Sequence, residues 1–227
     1  MRFLAMMCAL ALAATLPAGA AAPSSGPGAA SGTLPGGGSY IVRPQHAVPV
    51  AAVELWFRAP SVGFARDPIP GISLLAAKAI AASIPITGTA LSRLVDDMGG
   101  KLSISSYPDS VDVAALVPAN RAGDVVRAMT SVYFTPVLTA PGLRTARSDV
   151  IQEALIRSFD SDEVLRDALL EQLFTKGPAH YSIYGKPEDV RKVDLDTVTD
   201  FATRAFRAKN AYLILTGAVD AQVVGRA

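Results

Sequence analysis

Hydrophobic and polar positions fall into three regimes along the 227-residue chain. An unbroken apolar run, FLAMMCALALAATL, follows Met1-Arg2, and a Gly/Ser/Pro/Ala stretch, PSSGPGAASGTLPGGG, occupies residues 23–38. Regular patterning begins at Ser39. SYIVRP and VPVAAVELWF are β-branched and aromatic runs joined by Gln45-His46-Ala47, which predicts two strands. ISLLAAKAIAAS is apolar on every side apart from Lys78, the pattern of a buried helix. In TALSRLVDDMGG, Leu91, Leu94, Val95 and Met98 keep helical spacing, and Gly99-Gly100 supplies the stop. KLSISS and SVDVAALV flank Tyr107-Pro108-Asp109, and Val111, Val113, Ala115 and Val117 alternate with period two, predicting a hairpin with one face in the core.

Helical spacing returns over 121–133 (Val125, Val126, Met129), 141–159 (Leu143, Val150, Ile151, Leu155), about 162–175 and about 195–208, with a polar loop over 177–187. AYLILTG at 211–217 predicts a closing buried strand. Hairpin-paired strands with helices gathered on one face give an α+β fold, a mostly antiparallel sheet in a single domain.

The N-terminal regime predicts export. A basic start, a short apolar core and A-x-A triplets ending at Ala20 and Ala22 describe a signal peptide over residues 1–22, and the run is too short for a membrane span. Residues 23–38 then read as a flexible linker, and 39–227 as the folded domain. After signal removal no membrane span is expected, and the destination is periplasmic or extracellular. Removing Arg2 takes 21 basic side chains to 20, against 20 acidic ones, so no polyelectrolyte footprint for nucleic acid remains. The single cysteine, Cys8, lies in the signal segment, which excludes thiol catalysis and thiolate metal sites from the mature chain.

Candidate chemistry is sparse. A catalytic zinc takes three protein ligands and an open position. The chain offers two histidines, His46 and His180, both in loops, and no His-x-x-x-His pair. There is no G-x-S-x-G elbow, and Gly99-Gly100-Lys101 lacks the other residues of a P-loop. Asp96-Asp97 and the Asp160, Asp162, Glu163 group read as solvated helix faces and N-terminal caps.

Several strings, in order, resemble the N-terminal module of the insulinase, pitrilysin and mitochondrial processing peptidase family. They are VAAVELWFRAPSVG, Pro70-Gly71-Ile72, Leu91-x-x-Leu94-Val95-x-x-x-Gly99-Gly100, Arg147-x-x-Val150-x-x-Glu153, Pro178-Ala179-His180-Tyr181-Ser182 with Gly185, and Phe201 to Asn210-Ala211, covering residues 39–222. In that family the first core helix carries H-x-x-E-H, whose histidines bind zinc while the glutamate activates water. The corresponding pentad is Leu74-Leu75-Ala76-Ala77-Lys78, so Leu74, Ala77 and Lys78 stand where ligands and base are expected. Glu153 falls at the third ligand's place as a vestige, and Ala146 replaces the acidic residue often found seven positions earlier. Lys78 either pairs with Glu153 or extends its stem over apolar surface while Glu153 faces water.

The resemblance therefore implies a catalytically degenerate member, with no catalytic or metal-binding residues and no cofactor, where active members hold zinc. The family's chamber is built from two modules, and this chain ends at Ala227, where the second should begin, so the resemblance implies either a truncated two-module protein or a second insulinase-type chain or module as partner. The leading expectation is a non-catalytic exported subunit that completes the peptide chamber of a zinc-bearing partner. A stand-alone peptide-binding domain and a zinc endopeptidase with an unrecognised site are the alternatives.

Overall fold

The computed structural model describes residues 28–83 and 89–226; the expected signal peptide lies outside them. Strands β1 (Ala30–Thr33), β2 (Ser39–Pro44) and β3 (Val50–Arg58) lead into helices α1 (Ile72–Ala82) and α2 (Leu91–Asp97). The hairpin β4 (Lys101–Ser106) and β5 (Ser110–Pro118) follows, then α3 (Ala122–Phe134), α4 (Ala140–Arg157) and α5 (Ser161–Leu173). The chain closes with α6 (Pro187–Val190), α7 (Leu195–Ala205), β6 (Ala211–Gly217) and α8 (Gln222–Arg226).

The six strands form one sheet in the order β1-β2-β6-β3-β5-β4. Only the β2–β6 pair is parallel. This is the expected α+β layer structure. The period-two pattern turns Val111, Val113, Ala115 and Val117 of β5 and Ala51, Val53, Leu55 and Phe57 of β3 into the core. There Phe57 meets Phe206 edge-on at 5.0 Å and Tyr133 at 5.7 Å.

Two expectations are corrected. The segment expected as linker over 23–38 contains β1, paired antiparallel with β2 from Ala30↔Val42 to Thr33↔Ser39. The anchor is Leu34, buried at the end of β1, which offsets the poor strand propensity around it. The stripe expected to bury α4 also ends early. Leu143, Ala146 and Val150 are buried, but Leu155 is 46 % exposed, because the last turn of α4 turns Ala154 and Arg157 toward a cavity beside Tyr184 rather than Leu155 toward the core.

The all-apolar segment becomes α1, which packs chiefly against α4 and then α7. Its position is fixed at the N-terminus by a close backbone crossing. Gly71 (φ 85°) and Gly185 (φ 67°) both hold left-handed conformations, and a Cβ on either would fall 2.4 Å from the Tyr184 carbonyl oxygen or 2.2 Å from that of Pro70. Glycine is required on both sides, and the crossing ties the 178–187 loop to the start of α1.

Candidate functional site

The family-like pentad lies in the middle of α1, where Leu74 and Ala77 are buried in the core. The Ala77 carbonyl accepts a hydrogen bond from the Tyr133 hydroxyl at 2.9 Å, and full burial raises the Tyr133 phenol far above its ordinary value. Lys78, by contrast, reaches α4: its Nζ donates to Glu153 Oε1 at 2.6 Å. The lysine side chain is 15 % exposed and the glutamate 41 % exposed. Of the two arrangements open from sequence, the ion pair is the one adopted.

The residues here do not fit a zinc site. Leucine and alanine supply no ligand, Ala146 is buried without a polar atom to offer, and the one carboxylate is neutralised by an ammonium group. His46 and His180 are held elsewhere. His46 Nε2 stands 3.8 Å from Asp220 Oδ1, with both side chains exposed. His180 Nδ1 lies 2.6 Å from the Phe174 carbonyl oxygen, a contact that requires the proton on Nδ1, and its ring meets Tyr181 edge-on. Among the described residues, no group of three or more His, Cys, Asp or Glu is placed to hold a metal ion.

Two further features were not singled out from sequence. The sheet face opposite the helices carries Ser105, Asp112, Trp56 and Tyr212 in one cross-strand row. The Trp56 indole N–H donates to Glu54 Oε2 at 3.0 Å, and its ring stacks on Tyr107 at 5.2 Å. Asp112 Oδ1 is enclosed without a hydrogen-bond partner. Burial, helped by the neighbouring Glu54 charge, raises the Asp112 carboxyl to about 7. The alternation that puts Val111 and Val113 inside already places Asp112 on this outer face.

The second feature is a cavity of about 900 Å³ between α5, the end of α4 and the 178–187 loop, lined by Ile69, Val164, Ala168, Tyr181, Tyr184 and Val193 among others. The Arg157 guanidinium lies 4.5 Å over the Tyr184 ring and pairs with Glu163 at 2.7 Å. Burial raises the Tyr184 phenol, with Arg157 pulling it down.

No protein-family model and no curated protein matches the chain. Solved structures match it well. A protease from Helicobacter pylori superposes with a TM-score of 0.74 at 18% identity over 87% of this chain and 48% of its own. A peptidase M16 inactive domain from Pseudomonas fluorescens gives 0.72 at 15% identity over 87% of this chain and 50% of its own. The fold is that of an M16 peptidase half. The periplasmic protease PqqL from Escherichia coli matches over 87% of this chain and 23% of its own, with a TM-score of 0.75 at 14% identity. The chain thus spans about half the length of the first two structures and about a quarter of PqqL. On the M16 fold, the insulinase-type expectation for the architecture holds, and the Lys78–Glu153 pair joins the two helices from which that resemblance draws its metal ligands.

Two outcomes follow from the geometry. Glu153→Ala leaves a largely buried ammonium unpaired and should lower unfolding free energy by about 2 kcal/mol. Lys78→Met removes the charge but keeps the packing, and should stay within about 1 kcal/mol of the parent in urea denaturation. For Asp112, the folded-state value lies above the ordinary 3.8, so the native chain holds an extra proton between the two values. Its contribution to stability is complete below pH 4 and is lost as pH rises through about 7. Asp112→Asn should flatten that part of the stability–pH profile and leave the variant more stable than the parent at pH 8.

Proposed function

We propose that this chain is a non-catalytic member of the insulinase-type M16 family, a half-module that pairs with a zinc-bearing M16 module and completes its peptide chamber. The observation that supports this reading is the Lys78–Glu153 ion pair, on an M16-like fold, between the two helices from which the sequence resemblance draws the family's metal ligands. An ammonium group paired with a carboxylate has no lone pair to offer a metal or a water proton, and it occupies the Glu153 oxygen that would otherwise be the ligand. Peptide hydrolysis is then the partner's chemistry. Residues 1–22 act as an export signal and the chain from β1 onward forms the module, with the pair in the periplasm or outside the cell. Among the described residues no helix is long and apolar enough to cross a membrane.

The contribution to a peptide chamber is backbone pairing. β4 is an edge strand whose free side can accept an extended peptide, with the side chains of Lys101, Ser103 and Ser105 exposed. The same edge supports a second reading, a peptide-binding domain that works without a partner.

Mixing the chain with an M16 homologue that carries H-x-x-E-H separates these readings. Pairing predicts a one-to-one complex and peptide hydrolysis several-fold above that of the homologue alone. Separate elution with unchanged hydrolysis contradicts it. Saturable binding of a labelled unfolded peptide by the chain alone would then favour the second reading.

A further inference from the structure

Helix α5 has no buried residue, yet it carries a regular apolar stripe. Leu165, Leu169 and Leu173 recur every fourth position and are 68 %, 54 % and 64 % exposed. The chain entering α5 adds Ile156 and Phe159, exposed by 70 % and 87 %. The opposite side of α5, with Val164, Asp167, Ala168 and Glu171, lines the cavity, so the leucine stripe points away from the domain. A helix of 13 residues is marginal on its own in water. Here the Asp160 cap, the Glu163 ion pairs to Arg157 and Arg166, and packing on the 178–180 segment hold it. A contiguous apolar stripe of this length on a helix so lightly anchored is the surface of an interface.

We infer that the occupant is a second copy of this chain, joined through α5 in an antiparallel pair about a two-fold axis at Leu169. The positions are self-complementary in that register. Leu169 meets its own equivalent, Leu165 meets Leu173 of the second copy, and Asp162 meets Lys176 of the second copy at both ends. Asp162 lies two turns before Leu169, within about 20° of it on the helix wheel. Lys176 lies the same number of residues beyond, in the segment that follows the helix end at Leu173. Both are exposed, and neither has an ion-pair partner within the described chain. Antiparallel pairing also brings the acidic first turn, Asp160 and Asp162, to the negative end of the other helix dipole, where Lys176 is needed to compensate. The pairing buries leucine against leucine at the 8–10 Å spacing that helices adopt. It uses the helical side of the domain and leaves the sheet face and the β4 edge open, so it stands independently of the chamber reading.

Sedimentation equilibrium of the purified chain tests this, with melting by circular dichroism as the folding control. The expected result is a dimer at micromolar concentration. Leu169→Asp places two carboxylates on the axis and should give a folded monomer. Asp162→Lys or Lys176→Asp alone should weaken the dimer about tenfold, since each reversal acts at both symmetric ends. The two reversals together should restore it, because the pair is rebuilt with its signs exchanged. In a Cys8→Ser background, Leu169→Cys should form a disulfide-linked dimer on mild oxidation, whereas Ala168→Cys, on the cavity side, should not. A monomer throughout the micromolar range overturns the inference. So does a dimer indifferent to Leu169→Asp and to the charge exchange.

Discussion

A helix that is apolar on every side has to be enclosed, and the enclosure of α1 organises this domain. The sheet, α4 and α7 surround it, the Tyr133 hydroxyl ties to its backbone, and the Gly71–Gly185 crossing fixes its start. Enclosure leaves one difficulty, the ammonium of Lys78. A largely buried charge left without a partner costs about 2 kcal/mol here, so the packing of α1 on α4 is favoured by Glu153 being where it is. The ion pair matters less for net stability than for register, because it fixes which turn of α4 faces which turn of α1.

The same pair stands between the two helices on which the resemblance would place a metal site. In the family that its sequence resembles, these two helices meet at a metal. Here they meet at a lysine and a glutamate, with Leu74 and Ala77 packed into the core on either side. Rebuilding a metal site would require removing the ammonium and introducing polar ligands into a region that is now close-packed, and each change opposes the packing that holds α1. What remains open is the surface: the sheet face with its Trp56–Tyr107 stack, the β4 edge, and the leucine stripe of α5 on the other side of the molecule.

Most of the architecture was legible from periodicity. The alternation in β3 and β5 and the unbroken apolar run of α1 admit one burial pattern each. β1 was not legible, because a four-residue strand in a Gly/Ser/Pro-rich stretch has no periodicity to read and depends on pairing with β2 and on the burial of Leu34. The extent of burial along α4 and α5 was also hidden. Leu155, Leu165 and Leu169 have helical spacing whether they face a core or another chain, so spacing predicts the helix and says nothing of what covers it. The Lys78–Glu153 contact spans 75 positions, beyond any local pattern. Resemblance brought the two residues to attention, and packing decided between an ion pair and a solvated lysine. Asp112 was readable in part: alternation places it on the outer face, but its raised carboxyl comes from the neighbours that the sheet register supplies.

The Lys78–Glu153 ion pair lies between the helices from which the resemblance draws the metal ligands. Calorimetric titration of zinc into the purified chain, beside the variant Leu74→His/Ala77→Glu/Lys78→His, tests whether it stands in for the metal. No saturable binding is expected from the parent and one weak site from the triple variant, weak because the groups that would orient the new ligands are missing. Tight binding of about one zinc per parent chain would contradict it, and failure of the triple variant to gain any zinc would show that these helices do not meet as the metal-binding helices of the family do.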